Sequence, residues 1–408
     1  MRENISLEEA EALMLEHCKV CDTEVVLLSD ALGRVLAEDV ISSENIPPFN
    51  RTPLDGYAMA AKDTEEASTQ YPVILKVIEE VPAGYIATEE ITPGTTIKVM
   101  TGAPIPKGAD AIIKFEAVER RDDEIFVKRM LRSNENIIKA GEDVRIGQVI
   151  ADRGTMITPP IMGLCAAIGV SKLTVYQQPK IALVSTGDEL VDVTEPLQPG
   201  EIRNSNAYSL QGYCKAEGAI PLMIGTAKDR VEEIAMMIEQ GLEQADLVIT
   251  TGGASVGDYD VIGDALEAIN AEIIFWGIHI KPGMPTLAAV KDGKVILGLS
   301  GNPASSLIVY QLLGIPFIRN MAGRKDYQLP KLEVSLNDGF RKASPERRFL
   351  RARLQLKEGR MIVNLTGSQG NAILTSMVGC NVLVEVPAGS PALQGGEKLT
   401  AYLVERIG

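Results

Sequence analysis

Histidine is almost missing from this chain: 408 residues hold only His17 and His279. A Ser-His-Asp or Cys-His arrangement therefore has little to draw on, the more so because His17 adjoins Cys18. Aromatic residues make up 4 % of the chain and tryptophan occurs once, which argues against a platform for stacking bases. Positive charge is in deficit. Forty Lys and Arg against 55 Asp and Glu leave a net charge of −15, so a nucleic-acid surface is not expected. An anionic ligand would need a local basic pocket. No apolar run approaches the ~18 residues of a membrane span, and the N-terminus carries Glu3, Glu8, Glu9 and Glu11 where a signal peptide would not. A cytoplasmic protein without membrane or nucleic-acid partners is expected.

Other signatures are missing too. There is neither a Walker lysine loop nor a GxGxxG fingerprint, which disfavours the usual nucleotide hydrolysis and hydride transfer. Five cysteines, an odd number mostly set in apolar patterns, read as reduced buried thiols. Cys18 and Cys21 beside His17 have half of a zinc-site spacing, but no second Cys or His pair completes it.

What is present centres on Thr250-Thr-Gly-Gly-Ala-Ser-Val-Gly-Asp-Tyr-Asp260, which follows the apolar run 246–250 and precedes a helical pattern. That places the loop at the carboxyl end of a buried parallel strand, where open α/β sheets bind ligands. Gly252, Gly253 and Gly257 allow the backbone to approach an anion, and Thr250, Thr251 and Ser255 add hydroxyl donors. Asp258 and Asp260 in the same loop would repel a phosphate. A divalent cation such as Mg²⁺ between them reconciles the two halves. Asp260 is equally well placed as a helix N-cap, and Gly257-Asp-Tyr as an ordinary turn.

At 408 residues, roughly 150 per domain suggests about three domains. Ser6 with Glu9 forms a capping box for a helix starting near Leu7, and a short strand and a second helix over 31–37 are expected next. Three prolines and a glycine make 46–57 irregular, with Asp55-Gly56 most simply a tight turn. Short β runs fill 71–139. A helical patch at 160–168 then suggests that the β region is an insertion. From Lys180 the period changes: apolar strands at 181–185, 220–225, 247–250 and 273–275 alternate with helices, the βαβ signature of a parallel sheet. Asn204 and Ser205 open one helix and Asp229 with Glu232 another; Asp292-Gly293 joins two strands, and Pro303 starts a long apolar helix. Beyond Gly323, short β runs read as a small sandwich or barrel, with Arg347, Arg348, Arg351 and Arg353 as a solvated strand face. Four loops at strand ends, 186–189, 226–229, 251–260 and 300–303, converge, and Lys281 is the one cation expected near them. Such contents suit a phosphorylated small molecule with a divalent metal.

The motifs as a set are more specific. Pro47-Pro-Phe49 with Leu54-Asp-Gly-Tyr-Ala58, Met100-Thr-Gly-Ala-Pro104, Gly141-Glu-Asp-Val144, Ser185-Thr-Gly-Asp-Glu-Leu190, Ile202-Arg-Asn-Ser-Asn206, Thr251-Gly-Gly-Ala-Ser-Val-Gly257, Ile280-Lys-Pro-Gly283 and Gly301-Asn-Pro303 follow in this order. In that order the chain resembles the molybdopterin molybdenumtransferases, the molybdenum-insertase family that includes the gephyrin E domain.

The resemblance implies an elongated multidomain chain of α/β plus β class. Residues 1–47 and 141–176 would form a discontinuous linking region, 48–140 an inserted β domain, 177–326 a doubly wound molybdopterin-binding domain, and 327–408 a C-terminal β barrel or sandwich. It further implies a homodimer whose cleft lies between the α/β domain of one subunit and the insertion of the other. There adenylylated molybdopterin, delivered by a molybdopterin adenylyltransferase, would receive molybdate and release AMP with Mg²⁺ present. By motif, Asp55, Thr101 and Asp143 would face the cleft. Glu189, Asp229 and Asp260 would position metal or ligand, and Lys281 would bind the anion. Thr251, Gly252, Gly253, Ser255, Gly257, Ser300, Gly301, Asn302 and Pro303 would line the ligand.

Three departures stand out. Met284 replaces the lysine of Lys-Pro-Gly-Lys-Pro, Ser300 replaces a proline before Gly301, and Thr52-Pro-Leu precedes Asp55 in place of Ser-Ala-Met. They keep other readings open: a tungstate-preferring insertase, a paralogue that binds the pterin nucleotide without inserting metal, or a dimeric scaffold.

Overall fold

The computed structural model describes residues 1–253 and 261–405. Its central layer is built from continuous apolar runs whose successive residues enter opposite cores. Along Lys180–Thr186, Ile181 and Leu183 enter one core while Ala182 and Val184 enter another. Leu247 and Ile249 divide from Val248 in the same way, and Val295 and Leu297 from Ile296. A strand buried on both faces must have helices on both faces. Here Ser205–Ala216 and Pro303–Val309 cover one side, and Val231–Gln244 and Val261–Ala268 the other. Each fully buried Leu, Ile or Val contributes roughly 1.5–3 kcal/mol. This doubly wound layer is therefore the rigid base on which loops can be placed.

Seven strands make the sheet, in the spatial order Arg2–Ile5, Glu272–Ile278, Leu287–Lys291, Lys294–Leu299, Leu247–Thr251, Lys180–Thr186, Ile220–Ala227. The last four are mutually parallel, as the βαβ pattern requires. Leu287–Lys291 is antiparallel to both neighbours, joined to the next strand by Asp292 and Gly293 at φ 52° and 75°. The sheet is thus mixed at one side.

Two expectations fail near the N-terminus. Arg2–Ile5 pairs in parallel with Glu272–Ile278, and the following helix Leu7–Glu16 buries Leu7, Ala10 and Met14 in the same core. The first residues thus belong to the α/β layer rather than to the linking region. A four-residue strand paired some 270 positions away leaves no local signal. The helix expected over 31–37 is absent: a single turn at Leu28–Asp30 is followed by Gly33 at φ 75°, and Val35 and Leu36 bridge to Met156 and Val175. Half of the capping box holds: Ser6 Oγ accepts from the Glu9 backbone N–H at 3.1 Å, while the Glu9 carboxylate pairs with Arg2 at 2.6 Å.

Thr23–Leu27 pairs with Lys172–Tyr176, and Val40–Ile41 with Val149–Ala151, so the chain leaves this region and returns to it. Between lies a six-stranded sheet, ordered Ala111–Lys114, Gly56–Met59, Thr95–Val99, Val73–Val81, Glu124–Val127, Val118–Arg121. Gly56 opens a fully buried strand and is not the tight-turn residue expected. A methyl there would overlap the Ile113 carbonyl oxygen and lie 3.0 Å from Ile112 Cγ2, so glycine serves close strand approach.

The C-terminal region is a closed barrel of five strands, Lys331–Leu336, Arg360–Leu365, Arg348–Lys357, Val382–Val386 and Lys398–Leu403. Arg351 is not on a solvated face. It is wholly buried, donating from Nε to Ser376 Oγ at 3.0 Å and from Nη2 to the carbonyls of Ser368 (3.2 Å) and Gly370 (3.0 Å). Burial without a carboxylate partner pushes its guanidinium down to about 10. Arg347 is also engaged, donating to both carboxylate oxygens of Glu8 at 2.8 Å.

Candidate functional site

The parallel strands end together, and a cleft of about 590 Å³ opens over their carboxyl ends. Thr186 ends one strand and Gly187 follows it, Thr251 ends the next with Gly252 and Gly253 beyond it, and Ser300, Gly301, Asn302 and Pro303 follow the third. Glu189, Asp229 and the run 203–206 supply one wall, while Pro285 and, from the C-terminal region, Ala372 supply another.

Glycine is required where these turns meet. Gly252 has φ +98°, and a methyl there would overlap the Thr186 carbonyl oxygen and sit 2.7 Å from Thr186 Oγ1. Its N–H donates to Leu299 O at 3.1 Å, which binds the second strand end to the third. Asn204 Oδ1 accepts from Ala207 N at 3.2 Å and so caps Ser205–Ala216, while Asn206 Nδ2 donates to Gly301 O at 2.9 Å. The start of that helix is thereby pinned to the Ser300–Pro303 turn. Two buried atoms on the wall remain unsatisfied: Thr186 Oγ1 and Asn206 Oδ1 have no hydrogen-bond partner among the described residues. Leaving such an atom unpaired costs about 1–3 kcal/mol.

Asp229 does not cap the helix that follows it. Arg230 occupies the cap of Val231–Gln244 without a side-chain bond, and Lys228 N donates instead to Glu233 Oε1 at 3.1 Å. Asp229 is left to line the cleft. Burial raises its carboxyl above the usual carboxylate range, and the charges of Asp188 and Glu189 add to this, against a hydrogen bond from the Asp188 backbone and the charge of Lys228. Two carboxylates share a site that already carries excess negative charge.

Of the other expected residues, Ser255, Gly257, Asp258 and Asp260 lie outside the described residues. Lys281 does not line the cleft. Its ammonium pairs with Glu346 at 3.2 Å, and its backbone bridges to the barrel strand beside Arg348. Among the described residues lining the cleft, Arg203 is the positively charged one, a role expected of Lys281 from the sequence. Spacing alone could not show that the 190–203 excursion folds back over the strand ends. Asp55, Thr101 and Asp143 are likewise not in this cleft within one chain. Asp55 Oδ1 accepts from Thr101 N and Oγ1, both at 2.7 Å, and these bonds hold its carboxyl below the usual range.

The loop Ser368–Ser376, braced by Arg351, reaches the same cleft. Ala372 lines it, and Asn371 O accepts from Ser305 N at 3.2 Å. Elsewhere, burial pushes the thiols of Cys18 and Cys21 up to about 12. Among the described residues no group of three His, Cys, Asp or Glu side chains could hold a metal, and no helix is long and apolar enough to cross a membrane.

Comparison with known proteins places this architecture. Residues 5–169 match the MoeA N-terminal region (domain I and II), 182–320 the probable molybdopterin binding domain, and 333–404 the MoeA C-terminal region (domain IV). The molybdopterin molybdenumtransferase of Bacillus subtilis is 33 % identical over 407 residues, covering 99 % of this chain and 95 % of that protein. Its counterpart in Staphylococcus aureus is 32 % identical over 404 residues, covering 99 % and 96 %. The crystal structure of the molybdopterin biosynthesis moeA protein from Pyrococcus horikoshii OT3 superposes with a TM-score of 0.85 at 33 % identity, over 98 % of this chain and 100 % of that one. The fold, the strand-end cleft and these relatives define a multidomain transferase of molybdenum cofactor biosynthesis. The chain belongs to the molybdopterin molybdenumtransferase family, the MoeA proteins.

Proposed function

We propose that this chain inserts molybdate into adenylylated molybdopterin at the strand-end cleft, with release of AMP in a Mg²⁺-dependent reaction. The observation that carries the reading is the lining of the strand-end cleft, where the turns of Gly252, Gly253 and Gly301 meet the carboxylates of Glu189 and Asp229 and the guanidinium residue Arg203. Such a wall suits a polar, phosphorylated ligand bound with a cation.

The donor set fits magnesium. Glu189 and Asp229 offer hard oxygens, Asp229 sits in surplus negative charge, and Mg²⁺ is commonly held by one or two carboxylates together with substrate phosphate and water. When bound, the cation neutralises charge that develops on the phosphate as the phosphoanhydride breaks. The chain's own groups do the rest. Gly252, Gly253 and Gly301 leave the backbone bare for close approach, Asn206 holds the Gly301 turn in place through its bond to the Gly301 carbonyl, and Ala372 lines the cleft from the C-terminal region. Asp260 remains a candidate third carboxylate of this reading.

Asp55, Thr101 and Asp143 enter through a homodimer in which the insertion of a second copy completes the cleft. Mixing an Asp55 variant with a Glu189 variant then restores activity in mixed dimers; two inactive variants that stay inactive when mixed contradict a shared cleft. The adenylyltransferase of the pathway is the protein partner that delivers the substrate, and the cytoplasm is the place of work.

One observation favours a second reading. With Lys281 tied to Glu346 and Met284 in place of lysine, the oxyanion finds fewer cations, as in a protein that binds the pterin nucleotide without inserting metal. AMP release from adenylylated molybdopterin with Mg²⁺, titrated separately with molybdate and tungstate, decides. Release that depends on an oxyanion supports the insertase and names its metal. Tight binding without stimulated release supports the carrier.

A further inference from the structure

We propose that Arg203 is the residue by which this cleft recognises a phosphoryl group, and that it sets the preference for the phosphorylated form of the ligand. The inference rests on the phosphorylated-ligand reading and deepens it. Of the described residues lining the cleft, Arg203 alone is positively charged, against the carboxylates of Glu189 and Asp229. Lys228 and Lys281 do not line it; the first donates to Asp188 O at 2.8 Å and the second pairs with Glu346.

The guanidinium is oriented before any ligand arrives. Nε donates to Val193 O and Nη2 to Glu195 O, each at 3.1 Å. The backbone beneath it is fixed as well, because Arg203 pairs with Val191 and the next residue, Asn204, donates to Val191 O at 3.1 Å. A guanidinium has five N–H donors, and two are used here. Both donors on Nη1 and the second on Nη2 remain, and that edge matches two phosphate oxygens. An arginine whose other edge is held by carbonyls loses little freedom on binding. It therefore discriminates an anion from its neutral analogue at small entropic cost.

The test uses the full chain with Mg²⁺, titrated calorimetrically with AMP and with adenosine. Wild type is expected to bind AMP at least about tenfold more tightly than adenosine. Arg203→Gln loses that preference while its affinity for adenosine is unchanged, and Arg203→Lys, which keeps the charge without the fork, recovers only part. Limited proteolysis of the 192–201 loop runs alongside. Faster cleavage in Arg203→Gln with the AMP-to-adenosine ratio intact, or an equal loss for both ligands, reduces Arg203 to a loop clamp and overturns the proposal. A wild type that does not tell AMP from adenosine overturns both this proposal and the phosphorylated-ligand reading. Discrimination by wild type that survives in Arg203→Gln overturns the Arg203 assignment alone.

Discussion

Gly252→Ala is the substitution for which the structure makes the sharpest demand. At φ +98° a residue with a Cβ is strained, and the new methyl would overlap the Thr186 carbonyl and sit 2.7 Å from Thr186 Oγ1, where ordinary contact begins at 3.4 Å. The Thr186 carbonyl belongs to the backbone at a strand end rather than to a flexible side chain, so the strand ends must part. Backbone strain of about 1–3 kcal/mol plus overpacking of about 1–3 kcal/mol gives a loss of roughly 2–6 kcal/mol. Gly293→Ala isolates the first term, since Gly293 has φ +75° with nothing within 4 Å. Trp276, the single tryptophan, lies in Glu272–Ile278 of the same sheet, so fluorescence-detected urea unfolding reports on this domain. Gly252→Ala is expected to lose more stability than Gly293→Ala by the steric term, and to lose AMP release as well. Equal destabilisation of the two variants, with activity intact in Gly252→Ala, would refute the close-approach argument.

Three further outcomes are expected. Asp229 has a folded-state carboxyl raised above its usual 3.8, so its stabilising share is present below that value and is lost as pH rises through the folded one. Asp229→Asn therefore raises the urea midpoint at neutral pH, by an amount that shrinks toward pH 4, while weakening Mg²⁺-dependent ligand binding; a midpoint lowered at neutral pH contradicts the sign. Asp55→Asn acts on an exposed carboxylate and keeps an oxygen that can accept from Thr101, so the fold persists while AMP release falls at least about tenfold; undiminished release in that variant removes Asp55 from the reaction. Met284 is 44 % exposed and has room for a longer side chain, so Met284→Lys lowers the molybdate concentration needed for half-maximal turnover. An unchanged value with pterin binding intact removes the proposed meaning of that departure.

Much of the scaffold is legible in the sequence, because strands buried on both faces read as continuous apolar runs whose successive residues enter opposite cores. Ile181 and Leu183 against Ala182 and Val184 show it, and Pro303 begins its helix at the first position, as expected. The misses share a cause. Whether a barrel arginine faces water or a core depends on strand register with distant partners, so Arg351 reads as solvated in one dimension and is buried in three. The cleft likewise joins Asn206 to Gly301, 95 positions away, and sets Arg203 on the wall where spacing suggested Lys281. Short motifs identify such residues as a set. They do not say which side chain turns inward.

Single-turnover reaction of adenylylated molybdopterin with the full chain, Mg²⁺ and molybdate, following AMP and inserted molybdenum together, tests the account most directly. One AMP released per molybdenum inserted, and neither without the oxyanion, is the expected result. Release of AMP at the same rate with no molybdate present, or no release in its presence, would contradict insertion at this cleft.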